Sequence, residues 1–125
     1  MGPVKTQLVA IVDDDESVRS ALRALLKSYG FQARAFASAE ELLGSVQLGE
    51  TACVIADIRM GGMSGLELQS RLAQENRAVP IIFITAHADY RTEMQALRAG
   101  AIQFLEKPFD DDLLIAAVCA AVDGV

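Results

Sequence analysis

Leu8-Val9-Ala10-Ile11-Val12-Asp13-Asp14-Asp15 decides how the chain is read: five apolar residues in a row, then three carboxylates. An unbroken apolar run, as opposed to an alternating one, marks a strand buried on both faces. Such strands belong to parallel sheets covered by helices on each side. Outward from this stretch the pattern repeats. Val18, Ala21, Leu22, Leu25 and Leu26 recur at helical spacing, and Gly30 is a natural stop just past the helix. Residues 31–36 read as a second strand. Ser38 precedes Glu41 by three, the pattern of a capping box, with Leu42, Leu43 and Val46 as the stripe behind it. Residues 52–56 form a third strand, and residues 59–65 a glycine-rich loop that opens a helix through Leu66, Leu68 and Leu72.

The rest of the chain continues the alternation. Pro80 starts a fourth strand, Ile81-Ile82-Phe83-Ile84, at the one strand position that tolerates proline well. Asp89 caps a short helix carrying Met94 and Leu97 and closed by Gly100, and residues 102–105 are the fifth strand. Asp110, Asp111 and Asp112 put negative charge where the last helix begins, which its dipole favours. That helix buries Leu114, Ala117, Val118, Ala121 and Val122. Five strands alternating with five helices through short loops predict a doubly wound α/β fold with a five-stranded parallel sheet. At 125 residues and 52% hydrophobic, the chain fits one domain, residues 1–125.

Composition excludes several functions. A net charge of −6 and a pI near 4.6 argue against direct nucleic-acid binding, which needs clustered Lys and Arg. Cys53 and Cys119 match no zinc spacing and are expected to be buried, reduced thiols. No apolar run approaches the roughly 18 residues of a membrane span. The first residues lack a signal-peptide core, so a soluble cytoplasmic protein with no membrane partner is expected.

In open parallel sheets, ligands bind beyond the carboxyl ends of the strands. Four of the five strands end in, or lead directly into, a polar residue: Asp13-Asp14-Asp15, Asp57, Thr85 and Lys107-Pro108. Carboxylates gathered there repel one another and call for a cation, and hard oxygen donors suit Mg²⁺. Lys107 and Thr85 offer a charge and a hydroxyl to phosphoryl oxygens. The only central nucleophile is a carboxylate, so an acyl phosphate on an aspartate is the chemistry this set allows.

At this point the motifs resemble a known family. IVDDDESVR (residues 11–19), VIADIRMGGMSGLEL (54–68), FITAH (83–87) and FLEKPF (104–109) look like the response-regulator receiver domain of two-component signalling. The stretches DxRMxxxSGxEL and ITAHAD are closest in flavour to receivers of FixJ-like transcription factors. The resemblance implies a flavodoxin/CheY-like (βα)5 sheet with strand order 2-1-3-4-5. It implies Asp57 as phosphoacceptor for a histidine kinase, with Mg²⁺ (or Mn²⁺) held by Asp13, Asp14, Asp57 and the backbone carbonyl of Arg59. Thr85 and Lys107 would bind phosphoryl oxygens, and the Lys107–Pro108 bond would be cis. Phe104 takes the aromatic switch position, while Arg59 and His87 stand where family members tune the lifetime of the phosphoryl group. The implied readout is transcription regulation through a DNA-binding domain, with a homodimer through the helix 4–strand 5–helix 5 face. Transfer and hydrolysis would be self-catalysed, so no turnover enzyme is expected. The absence of a linker before Val125 suggests an excised receiver.

Plainer readings stand beside these. Asp15 reads as a helix cap or solvated charge, His87 as a surface histidine, Phe104 as core, and Met60 and Met63 as loop packing. Arg59 and Arg91 could be solvated charges. A stand-alone receiver acting through protein contacts is an alternative output. A haloacid-dehalogenase-like phosphatase would need an acid where Arg59 stands, and a flavodoxin-like FMN carrier would not place three aspartates after strand one. One departure from the family is Gly61, where proline is common, so the Gly61-Gly62 loop is expected to be looser.

Overall fold

The computed structural model describes residues 7–123. Five strands, β1 (Leu8–Val12), β2 (Gln32–Phe36), β3 (Thr51–Asp57), β4 (Ile81–Thr85) and β5 (Gln103–Glu106), form one parallel sheet ordered β2-β1-β3-β4-β5. Between and after them run α1 (Glu16–Ser28), α2 (Ala39–Leu43), α3 (Gly65–Gln74), α4 (Tyr90–Arg98) and α5 (Asp111–Asp123). The expected fold and strand order are both present.

The unbroken apolar runs have a simple cause. Side chains alternate across a strand, and each face of this sheet meets a separate core. Val9, Ile11, Cys53, Ile55, Ile82 and Ile84 pack with α1 and α5, around Leu22, Leu26, Leu114 and Val118. Ala10, Val12, Val54, Ala56, Phe83 and Phe104 face the other way, against Leu42, Leu68, Leu72 and Ala96. Fully burying an aliphatic side chain contributes roughly 1.5–3 kcal/mol, so a charge on either face of β1, β3 or β4 would be costly.

Helix ends follow local chemistry. Asp15, Ser38, Ser64 and Asp89 cap α1, α2, α3 and α4 with side-chain oxygens. The expected capping box at Ser38 is only half made, because Glu41 accepts from Ala37 N–H at 3.2 Å instead of from the cap residue. The reciprocal box lies at Ser64 and Glu67. Gly30 and Gly100 take positive φ just past α1 and α4, as expected, and Asn76 does the same after α3 at φ 56°. In all three the N–H of that residue and the N–H of the one after it turn back onto the last helical turn, satisfying carbonyls that would otherwise be orphaned.

Several expected core positions are corrected. Helix α2 stops at Leu43 with Gly44 as its C-cap, so Val46 lies outside it and is 95% exposed. Ala21 faces solvent, α4 buries Ala96 while Met94 is half-buried and Leu97 exposed, and Ile102 precedes β5 and is exposed. In α5, Ile115 joins the core and Val122 is only half-buried. Cys119 is exposed on α5, not buried, because it falls on the face opposite Leu114 and Val118. Cys53 is buried as expected, and burial pushes its thiol up to about 12, which keeps it unreactive near neutrality. No helix among the described residues is long and apolar enough to cross a membrane.

Candidate functional site

Strand register assembles the site. Val12 pairs with Ala56, so the next residues, Asp13 and Asp57, emerge side by side at the carboxyl end of the sheet. This lies between β1 and β3, where successive connections diverge to opposite faces. Asp57 pairs with Ile84, which places Thr85 one step further along the same rim, and Thr85 pairs with Glu106, immediately before Lys107.

Carboxylate oxygens of Asp13, Asp14 and Asp57 lie within 4.8 Å of one another. Asp13 and Asp57 are buried while Asp14 is exposed. Lys107 Nζ donates to Asp13 Oδ2 and to Asp57 Oδ2, each at 3.0 Å. The second oxygen of each acid takes a backbone donor: Asp15 N–H to Asp13 Oδ1 at 2.9 Å and Arg59 N–H to Asp57 Oδ1 at 3.2 Å. Burial raises the Asp13 carboxyl above its ordinary 3.8, more than the Asp15 and Lys107 hydrogen bonds lower it, and the charge of Asp57 adds to the rise. For Lys107 burial works against the charge, but hydrogen bonds to Asp57 and Asp13 outweigh it and lift the ammonium above 10.5.

Three carboxylates face one ammonium, so when all are ionised two negative charges are in excess. Like charges at such separations repel by roughly 3–4 kcal/mol per pair at an effective dielectric near 20. The shape of that imbalance fits a divalent cation with hard oxygen ligands, and this acidic pocket could bind one.

The other expected residues fall at graded distances. Thr85 is buried, accepts His87 N–H on Oγ1 at 3.3 Å, and accepts Lys107 N–H on its carbonyl at 2.7 Å. The Thr85 hydroxyl hydrogen therefore remains free to donate. Arg59 reaches the cluster through its backbone, with its side chain in solvent, and His87 is exposed beside Thr85. Phe104 is buried in the core beneath, its ring 6.5 Å from that of Phe83, and is not in the acid cluster. Asp15 is a helix cap that accepts from Ser17 N–H at 2.8 Å. The Lys107–Pro108 peptide is cis.

Two residues of the site escaped the sequence reading. Arg19 Nη1 donates to the backbone carbonyl of Asp13 at 2.8 Å and pins the loop after β1. Gly65 donates its N–H to Ile58 O at 2.9 Å, and a Cβ there would overlap the Asp57 carbonyl oxygen and stand 2.9 Å from Phe83 Cε1. Only glycine lets α3 start this close to the strand carrying Asp57. The signal for Arg19 was its place in the turn after the acids; for Gly65 it was the cap pattern beginning at Ser64.

The sequence profile of the family described as response regulator receiver domain matches residues 9–119. The chain belongs to the response-regulator receiver family. This receiver is 44% identical over 116 residues to Nodulation protein W of Bradyrhizobium diazoefficiens, covering 93% of the chain and 51% of that protein. It is 37% identical over 114 residues to the transcriptional regulatory protein FixJ of the same organism, covering 91% and 56%. The crystal structure titled FixJ-N superposes with a TM-score of 0.86 at 36% identity over 98% of both chains. The chain thus spans about half the length of the curated relatives it matches. Receivers are phosphorelay components of two-component systems, work with histidine kinases, and are generally signal transducers, not enzymes.

Proposed function

We propose that this receiver accepts a phosphoryl group on Asp57 from the phosphohistidine of a histidine kinase. The observation that carries the reading is Lys107 bridging the buried Asp13 and Asp57 in an acid cluster that still holds excess negative charge. An oxygen of Asp57 attacks phosphorus, the P–N bond breaks, the imidazole leaves with its electron pair, and an acyl phosphate forms. Lys107 stands 3.0 Å from the attacked carboxylate, where it can pair with a phosphoryl oxygen, and Thr85 offers its free hydroxyl to another. Asp13, Asp14, Asp57 and the Arg59 carbonyl would hold Mg²⁺ or Mn²⁺, which when bound supplies positive charge against the carboxylates and the phosphoryl oxygens. Hydrolysis later restores Asp57 without a second protein, and the exposed Arg59 and His87 flank the site where they would tune its rate. The chemistry is stoichiometric, so the chain acts as a switch.

The output follows from what lies under the site. Phosphorylation draws Thr85 toward the phosphoryl group, and the buried Phe104 answers by changing its packing between β5 and α4. Tyr90 and Leu97 of α4 and Leu113 of α5 are exposed apolar side chains, and a phosphorylation-dependent homodimer through the α4–β5–α5 face would give such groups a partner. In the whole protein, residues 1–125 would be the receiver domain, cytoplasmic, controlling transcription through a DNA-binding domain and not touching nucleic acid itself.

Two experiments test this. Incubation with Mg²⁺ and acetyl phosphate should add the mass of one phosphoryl group, and Asp57→Asn should abolish it; full labelling of the variant sinks the assignment. Mg²⁺ should also raise the thermal midpoint saturably, through a stability gain of about 2.7 kcal/mol at a hundred times Kd. Asp14→Asn should stabilise the metal-free protein and blunt that gain, whereas Na⁺ at matched ionic strength should not reproduce it.

A further inference from the structure

The loop between β3 and α3 carries the Arg59 carbonyl, and its two ends are firmly tied. At the start, Ile58 N–H bonds Ile84 O at 3.3 Å and Arg59 N–H bonds Asp57 Oδ1. At the end, Gly65 N–H bonds Ile58 O and the Ser64–Glu67 box closes α3. Between them stand Met60, Gly61, Gly62 and Met63, a glycine pair without proline to stiffen it. Among the described residues one hydrogen bond reaches this middle stretch from outside: Met63 N–H donates to Glu40 Oε2 at 3.1 Å, across 23 positions of sequence. The same carboxylate lies over Gly62, where an added Cβ would stand 2.9 Å from Oε2 and 3.4 Å from Oε1. A methyl group at position 62 would have to push aside that carboxylate, the flexible end of the Glu40 side chain, and so disturb its bond to Met63.

We propose that Glu40 is a positioning residue for the phosphorylation site: its carboxylate clamps the Gly61-Gly62 loop from α2 and so holds the Arg59 carbonyl ready for the divalent cation. The inference rests on the Mg²⁺-dependent reading above. A carboxylate accepting a backbone N–H makes a charge-assisted bond, stronger than a neutral one. The same carboxylate touches Gly62, so substitution at either position disturbs the same clamp. Glu40 is not a ligand and touches no reacting atom.

The experiment compares wild type, Glu40→Ala, Glu40→Gln, Gly62→Ala and Glu40→Ala/Gly62→Ala. Readouts are Mg²⁺ affinity by calorimetric titration, the rate of labelling by acetyl phosphate, and hydrogen exchange of the Met63 amide. Glu40→Ala and Gly62→Ala should each weaken Mg²⁺ binding and speed Met63 exchange by on the order of fivefold, the scale of one net hydrogen bond. The double variant should be no worse than either single one, because both remove one interaction. Glu40→Gln keeps a neutral acceptor and should lose less affinity than Glu40→Ala. Equal loss in Glu40→Gln and Glu40→Ala would show that Glu40 acts through charge alone and overturn the clamp, as would additive losses or unchanged Mg²⁺ affinity in Glu40→Ala. A wild type that binds no Mg²⁺ and takes no label would overturn the phosphoacceptor reading itself, while Met63 exchange reports the Glu40 contact independently.

Discussion

Helices α4 and α5 follow one another in the chain, separated only by β5, yet they are held to the sheet very differently. Helix α5 lies under β3 and β4 and buries Leu114, Ile115, Ala117, Val118 and Ala121. Helix α4 lies against β5 on the other face and buries Ala96 alone. What α4 has in place of apolar contact is polar: an Asp89 cap, and Gln69 of α3 donating its Nε2 to the Ala96 carbonyl at 3.0 Å. Moving α5 would expose buried apolar area and lose its stabilisation, whereas hydrogen bonds can be exchanged for others at little net cost. A sheet with one firmly seated helix and one lightly seated helix has a fixed side and a side free to repack. The lightly seated helix is the one beside Thr85, Phe104 and His87.

The contrast can be broken most forcefully at α5. Leu114 is fully buried, so Leu114→Ala should cost about 2–5 kcal/mol in urea unfolding. A loss below ~1 kcal/mol would mean α5 is no anchor. Next comes the polar tie of α4. Gln69→Leu keeps the volume and removes the bond to Ala96, and should cost about 0.5–1.5 kcal/mol while speeding amide exchange in α4 more than in α5. Equal acceleration in both helices would erase the distinction. A third substitution should do less: Leu97 is 37% exposed and outside the core, so Leu97→Ala should stay below about 1 kcal/mol in the same urea unfolding measurement. A large loss there would reveal a core contact for Leu97 in solution.

The smallest effect is the pH response of the α4 cap. Bonds from the Thr92 N–H, then from its hydroxyl, hold the Asp89 carboxyl below 3.8 against desolvation, and the Arg59 charge helps by less. A depressed folded value means the cap contributes fully above the unfolded value and fades as pH falls through the folded one. Asp89→Asn keeps a capping acceptor but cannot titrate. Its α4 amide exchange should therefore change less than the wild type's between about pH 5 and pH 3; an identical pH response in both proteins would clear Asp89 of the role.

Much of this arrangement could be read before any coordinates. Strands buried on two faces announce themselves as apolar runs, so β1, β3 and β4 were legible to within a residue or two at their ends. The strand-end rule brought Asp13, Asp57, Thr85 and Lys107 to one rim. Less legible was anything decided by distance in space. Spacing placed Met94 and Leu97 on the stripe of α4, but the helix is so lightly buried that only Ala96 reaches the core. Val46 fitted the period of α2, yet Gly44 had already ended the helix. A capping pattern counts three residues and cannot tell whether the acid turns back to its own cap or to the residue before, as Glu41 does. Asn76 at positive φ looks like any polar residue until the chain is seen to turn there. No rule of spacing links Glu40 to Met63, or tells that Lys107 will touch two carboxylates and not one.

Lys107 is also the last of the cluster to be synthesised, 94 positions after Asp13 and 50 after Asp57. A chain still emerging from the ribosome can pair β1 with β3 and bring the two acids together, but their counter-charge arrives only when β5 adds to the edge of the sheet. Until then the two acids lack the ammonium that bridges them, which disfavours a half-built sheet. If the proposed role of Lys107 holds, competence to accept a phosphoryl group arrives only when the fold closes, and a truncated copy lacking β5 would lack both the bridge and the response.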